Sequence, residues 1–167
     1  MMCDTFHELS EYDAPKWAQG LKNKPTHRIR LGMYPTPIIK WKNTPDLPEG
    51  TELYIKRDDM TGITLSGNKV RKLEFILAKA LVEGYQAVIT CGGSPHSNHG
   101  RATAVAAREL GLECHMVVHS PSFDEDEIRN PGNMLLDCFV GMQIHPYSLV
   151  DIGRDPSFEN PDDLLGF

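Results

Sequence analysis

From about residue 51 to residue 147 the apolar positions switch repeatedly between two spacings. The runs "ELYIKRD" (52–58), "QAVITC" (86–91), "ECHMVVH" (113–119) and "MQIHP" (142–146) read as short strands. Between them, residues 68–83, 97–110 and 130–139 repeat their apolar side chains at the period of a helix. Strands that alternate with helices predict an α/β layer built on a mostly parallel sheet. The stretch from residue 1 to about 50 is different. It is rich in proline and polar residues, "YPTPIIKWKNTPDLPEG" among them, and reads as an irregular arm that wraps a neighbour. Residues 148–167 form an acidic tail with two prolines and no visible closing element. No internal repeat or low-complexity tract stands out.

One cation disturbs the helical pattern of "TLSGNKVRKLEFILAKA" (64–80). At 3.6 residues per turn, Leu73, Ile76 and Ala80 fall on the side of Lys69, flanked by Val70, Leu77 and Leu81. Lys72, Lys79 and Glu83 cluster elsewhere, and Arg71 and Glu74 also leave the apolar stripe. Lys69 is therefore expected to point the way the core points. One reading is snorkelling, with the stem over apolar surface and the ammonium in water. The other is an amine nucleophile aimed into a cleft. Ser66-Gly67-Asn68 reads as the helix start, which puts Lys69 in the first turn. There the helix dipole and any desolvation disfavour the charged form, and a neutral amine can form a Schiff base.

Composition narrows the classes. The chain has 167 residues, enough for one ordinary domain or for one domain with pieces of another. A net charge of -6 and a pI near 5.6 argue against broad nucleic-acid or anionic-membrane binding. The cysteines, at positions 3, 91, 114 and 138, are scattered without a CxxC pair and read as reduced thiols of a cytoplasmic protein. The start, "MMCDTFHELSEYDAPKW", is acidic and lacks the apolar core of a signal peptide. No apolar run approaches membrane-spanning length.

In open α/β sheets ligands gather beyond the carboxyl ends of strands, which directs attention to "TCGGSPHSNHGRATAVAARELG" (90–111). Gly92 and Gly93 allow backbone amides to approach a ligand. Ser97, Asn98 and His99 fall at the following helix N-terminus, where N–H groups and the dipole favour a carboxylate or phosphate. Ser97 or Asn98 serving only as a helix cap is the plainer alternative. The segment matches neither GxGxxG nor GxxxxGK[ST], so the nucleotide-binding motifs are missing. His96 and His99 with Cys91 have a spacing that permits a metal, but a fourth ligand is not evident and no metal site is expected.

Taken together, "SGNKVRKLEF" and "TCGGSPHSNHGRATAVA" resemble the D-cysteine desulfhydrase and 1-aminocyclopropane-1-carboxylate deaminase family. "YPTPI", "LYIKRDDMTG" and "GNMLLDCFVGMQIH" are similar as well, and the resemblance runs from about Tyr34 to His145. It implies a three-layer αβα fold of the tryptophan-synthase-β type and pyridoxal 5'-phosphate as cofactor. It also implies that Lys69 holds that cofactor as an internal aldimine and later moves a proton, and that Asn98 hydrogen-bonds the cofactor's ring oxygen. Ser97, Asn98 and His99 are then expected to hold the carboxylate of a small amino-acid substrate, with Ser97 taking part in proton transfer. The substrates implied are D-cysteine or 1-aminocyclopropane-1-carboxylate.

Two departures accompany the resemblance. The family usually reads glycine-glycine, one residue, glutamine, serine, asparagine, histidine, whereas "GGSPHSNH" has one residue more and Pro95-His96 in place of the glutamine. Family chains are also substantially longer, and their phosphate-holding glycine loop lies beyond the part matched here. On that basis residues 1–50 are expected to belong to a larger, otherwise missing domain, 51–147 to form the smaller domain with the lysine, and 148–167 to begin the larger one again. A fragment of this kind is expected to expose apolar surface and to associate, with a homodimer expected for a full-length form. The alternative to an enzyme is a non-catalytic remnant that acts only as a binding or dimerising partner.

Overall fold

The computed structural model describes residues 7–42, 47–62, 64, 65, 67–92, 96–119 and 132–147. The acidic tail, Cys3, Ser66, the stretch Gly93-Ser94-Pro95 and the first two residues of the helix expected from 130 lie outside the described residues. The chain groups into two compact units, Met1–Ala78 and Lys79–Phe167.

In the first unit, the segment expected to be an irregular arm contains short paired strands. β1 (Leu9–Glu11) pairs antiparallel with β2 (His27–Ile29), Leu9 opposite Ile29. β3 (Ile38–Lys40) pairs antiparallel with β4 (Tyr54–Lys56), Ile38 opposite Lys56. β4 is the core of the run "ELYIKRD", and its partner corrects the expectation for that run. It joins β3, and a 3₁₀ turn over Asp58–Thr61 follows it directly after Arg57.

α1 (Lys69–Val82) starts in the first unit. Its buried face centres on Val70 and Leu77, with Leu73 and Ala80 on one flank and Glu74 and Ala78 on the other. Two wheel positions differ from the sequence expectation. Ile76, on the Lys69 side, is 56% exposed, and Glu74 is buried at 1%. Glu74 goes inward because its charge is fully answered. Arg28 donates from Nε at 2.8 Å and Nη2 at 2.6 Å to Oε2, and the amides of Leu31 and Gly32 donate to Oε1 at 3.0 and 3.1 Å. A buried carboxylate with four donors is tolerated where a bare one is not.

The second unit holds the parallel sheet in the order β5-β6-β7: β5 (Ala87–Gly92), β6 (Glu113–His119) and β7 (Gln143–Tyr147). Ala87 lies opposite Glu113, and His115 opposite Gln143. β6 alternates strictly enough to turn Cys114, Met116 and Val118 inward. α2 (Asn98–Glu109) packs on β5 and β6 and against α3 (Gly132–Phe139). α2 buries Ala102, Thr103, Ala104, Ala106 and Ala107, small residues that let its backbone lie close to the sheet.

The helices stop in one way. Gly84, Gly111 and Gly141 follow α1, α2 and α3 with φ of 76°, 73° and 94°. In each, the amide of the next residue reaches back to a carbonyl of the last turn: Tyr85 to Ala80 at 3.0 Å, Leu112 to Ala107 at 2.9 Å, Met142 to Asp137 at 2.9 Å. This is the glycine stop that satisfies a helix's last carbonyls. β5, β6 and β7 each begin within three residues of it.

Candidate active site

Lys69 is the first residue of α1 and is half-buried at the edge of the helix's buried face. The turn before it is stitched in place. The Gly67 amide donates to the Asp58 carbonyl at 2.9 Å and to Thr61 Oγ1 at 3.1 Å, and Thr61 Oγ1 donates to the Asp58 carbonyl at 3.0 Å. Asp58 is in turn gripped by Arg71, which donates from Nη2 at 2.7 Å and Nε at 3.0 Å. Those hydrogen bonds hold the Asp58 carboxyl below the usual carboxylate range, against a smaller upward push from burial. The Arg71 guanidinium also lies 4.5 Å from the centre of the Tyr34 ring. Asp58 and Arg71 thus fix the helix start that carries Lys69. The sequence reading assigned neither a role, although Arg71 stands two residues after the lysine.

Ser97, Asn98 and His99 come together at the start of α2, in the second unit. Ser97 is the cap: its Oγ accepts from the Gly100 amide at 3.1 Å, which leaves the hydroxyl hydrogen to be donated elsewhere. Gly100 permits this start to press on β6, since a Cβ there would stand 2.8 Å from Met116 Sδ. The His99 carbonyl receives Thr103 Oγ1 at 2.8 Å. α3 begins beside this point. Asn133 Nδ2 donates to the His96 carbonyl at 2.9 Å and to Asn98 Oδ1 at 3.0 Å, and Arg101 Nη1 donates to Asn133 Oδ1 at 3.2 Å. Asn133 and Arg101 were not singled out in the sequence. The available signal was a polar residue opening the mostly apolar helix "NMLLDCF".

Beneath the same helix start lies Asp137 of α3, 1% exposed, with no hydrogen-bond partner for either oxygen among the described residues. Burial pushes its carboxyl up to about 6, partly opposed by the Arg101 charge. Burial first, and then the Asp137 charge, pushes the neighbouring Cys114 thiol up to about 12. Among the described residues no group of three or more His, Cys, Asp or Glu is placed to hold a metal. Among them, too, no helix is long and apolar enough to cross a membrane.

A parallel sheet with polar donors where β5 passes into α2 is the architecture of α/β proteins that bind small ligands at strand ends. The chain belongs to the pyridoxal-phosphate dependent enzyme family, whose sequence model matches residues 29–163. It is 48% identical over 137 residues to the mitochondrial bifunctional D-cysteine desulfhydrase/1-aminocyclopropane-1-carboxylate deaminase of Arabidopsis thaliana, covering 80% of this chain and 33% of that one. It is 45% identical over 131 residues to a D-cysteine desulfhydrase of Salmonella paratyphi A, covering 77% of this chain and 38% of the relative. A crystal structure of an ACC deaminase homologue superposes with a TM-score of 0.61 at 38% identity, over 88% of this chain and 41% of that one. The chain therefore spans between 33% and 38% of the length of these two curated relatives.

The family's cofactor is pyridoxal phosphate. The residues described here fit parts of it. Lys69 offers a primary amine on an anchored first turn, and the start of α2 offers a hydroxyl and amide N–H groups suited to anionic oxygens.

Proposed function

We propose that this chain is the lysine-bearing part of a lyase or deaminase that acts on a small amino acid. The reaction is either D-cysteine plus water to pyruvate, sulfide and ammonia, or 1-aminocyclopropane-1-carboxylate plus water to 2-oxobutanoate and ammonia. Its main support is the donor edge at the start of α2, where the Ser97 hydroxyl and the Asn98 amide retain N–H and O–H groups after their internal bonds are made. The names of the relatives agree with that chemistry.

Pyridoxal phosphate, when bound, supplies an electron sink for charge developing at the substrate carbon. Lys69 Nζ would hold the cofactor and would be the base that takes and returns a proton at that carbon. Asn98 would hold the cofactor by donating to its ring oxygen. Ser97 Oγ, already an acceptor for the Gly100 amide, donates its hydrogen to the substrate carboxylate and takes part in proton transfer, and His99 completes the carboxylate's neighbours. The proposal keeps the division into an arm (1–50), a lysine domain (51–147) and a tail (148–167), with a homodimer in the longer form.

The test is to add pyridoxal phosphate to the purified chain, reduce with borohydride and map the labelled peptide. An adduct on Lys69, absent in Lys69→Ala, is expected. Keto-acid release from D-cysteine or from 1-aminocyclopropane-1-carboxylate then separates the two substrates, with a loss of at least about a thousandfold in Lys69→Ala for a group that acts as attachment point and base. A chain that acquires no adduct and still binds a longer homologous chain would instead be a non-catalytic partner.

A further inference from the structure

We infer that Asn133 is a positioning residue that fixes the polarity of the Asn98 amide, so that whatever meets Asn98 must be a hydrogen-bond acceptor. The inference rests on the reading of the α2 start as a ligand site. Asn133 has two neighbours with only one role each. The guanidinium of Arg101, 3.2 Å from Asn133 Oδ1, can only donate. The His96 carbonyl, 2.9 Å from Asn133 Nδ2, can only accept. An amide turned the other way would set donor against donor at Arg101 and acceptor against acceptor at His96. Asn133 must therefore face Asn98 with Nδ2, and at 3.0 Å this obliges Asn98 to offer Oδ1. The N–H groups of Asn98 Nδ2 are left for a partner from outside. The donors run in one direction: Arg101 to Asn133, Asn133 to Asn98, Asn98 to the ligand. A phenolate or carboxylate oxygen fits the end of this chain, and an ammonium does not. Asn133 itself stands one step back from the ligand.

Reversing the chain tests it. Asn133→Asp is nearly isosteric, keeps the Arg101 contact and can no longer donate, so Asn98 turns Nδ2 inward and presents Oδ1. Asn133→Ala removes the constraint without reversing it. For pyridoxal phosphate titrated by absorbance into the whole 167-residue chain, the dissociation constant is expected to rise about tenfold in Asn133→Asp and about threefold in Asn133→Ala. The aspartate variant sets an acceptor against the His96 carbonyl but turns the Arg101 contact into an ion pair, and its Tm is expected to be at least as high as that of the alanine variant. A merely structural residue would make affinity follow stability, with alanine worse on both counts, and that result overturns the inference.

A second measurement needs no cofactor. In 1H–15N spectra the Asn133 side-chain amide is expected to exchange slowly and the Asn98 amide quickly, with protection passing to Asn98 in Asn133→Asp. Slow exchange at Asn98 in the unsubstituted chain overturns the inference. A chain that takes up no pyridoxal phosphate overturns the proposed function alone, and the amide exchange then decides the polarity by itself.

Discussion

Among single residues, Asp137 carries the clearest energetic consequence. Its carboxyl, raised from 3.8 to about 6 by burial, is better tolerated neutral than charged in the folded state. The sign follows. Folding is favoured most below pH ~4, where Asp137 is protonated folded or unfolded; the advantage is lost as pH rises to 6, and above that the ionised group costs about 3 kcal/mol. Asp137→Asn is expected to raise Tm by several degrees relative to the parent at pH 8 and by nothing at pH 4. A Tm difference that does not change with pH would sink this account. The sequence hid the group because an acid inside "LLDCF" reads as the polar edge of an apolar helix, and the wheel does not reveal which neighbour fills the space. Glu74 was hidden for the same reason, its partners Arg28, Leu31 and Gly32 lying more than forty positions away. Ser97 was legible, because a serine before a run of small helical residues has a local job, and it does cap α2.

For elements, what is local was readable and what is distant was not. The three helices and the strands β5, β6 and β7 follow from period alone. β4 was read as a strand too, but its partner was not, since pairing with β3 is a matter of register between segments about fifteen residues apart. The stripe of α1 was read with its centre too near Lys69, and the buried face lies around Val70 and Leu77. Glu74 makes α1 the anchor for the segment after β2, by gripping Arg28 and two backbone amides at once. Glu74→Ala leaves those donors without their acceptor, and a loss of about 3–5 kcal/mol is expected from urea unfolding. A loss below about 1 kcal/mol would mean that water replaces the carboxylate freely.

For the molecule as a whole, the surface is the telling feature. Trp17, Ile89 and Phe139 are 84%, 75% and 88% exposed, more than a monomer's scattered apolar residues usually show for side chains of this size. Self-association is therefore expected: light scattering over a tenfold range of concentration should show the mass rising, and Ile89→Lys with Phe139→Lys should suppress the rise. A constant monomer mass would count against it. The family was legible from two short segments, while the donor chain through Asn133 needed coordinates. The glycine stops after α1, α2 and α3 set where change is permitted. One residue added at such a stop would slide the next strand by one place and turn its inward side chains outward. Insertions are thereby steered to the other end of a strand, as between β5 and α2. The additional residue in "GGSPHSNH" lies at that permissive end, so diversification of the ligand's surroundings can proceed there while the sheet's alignment is left untouched.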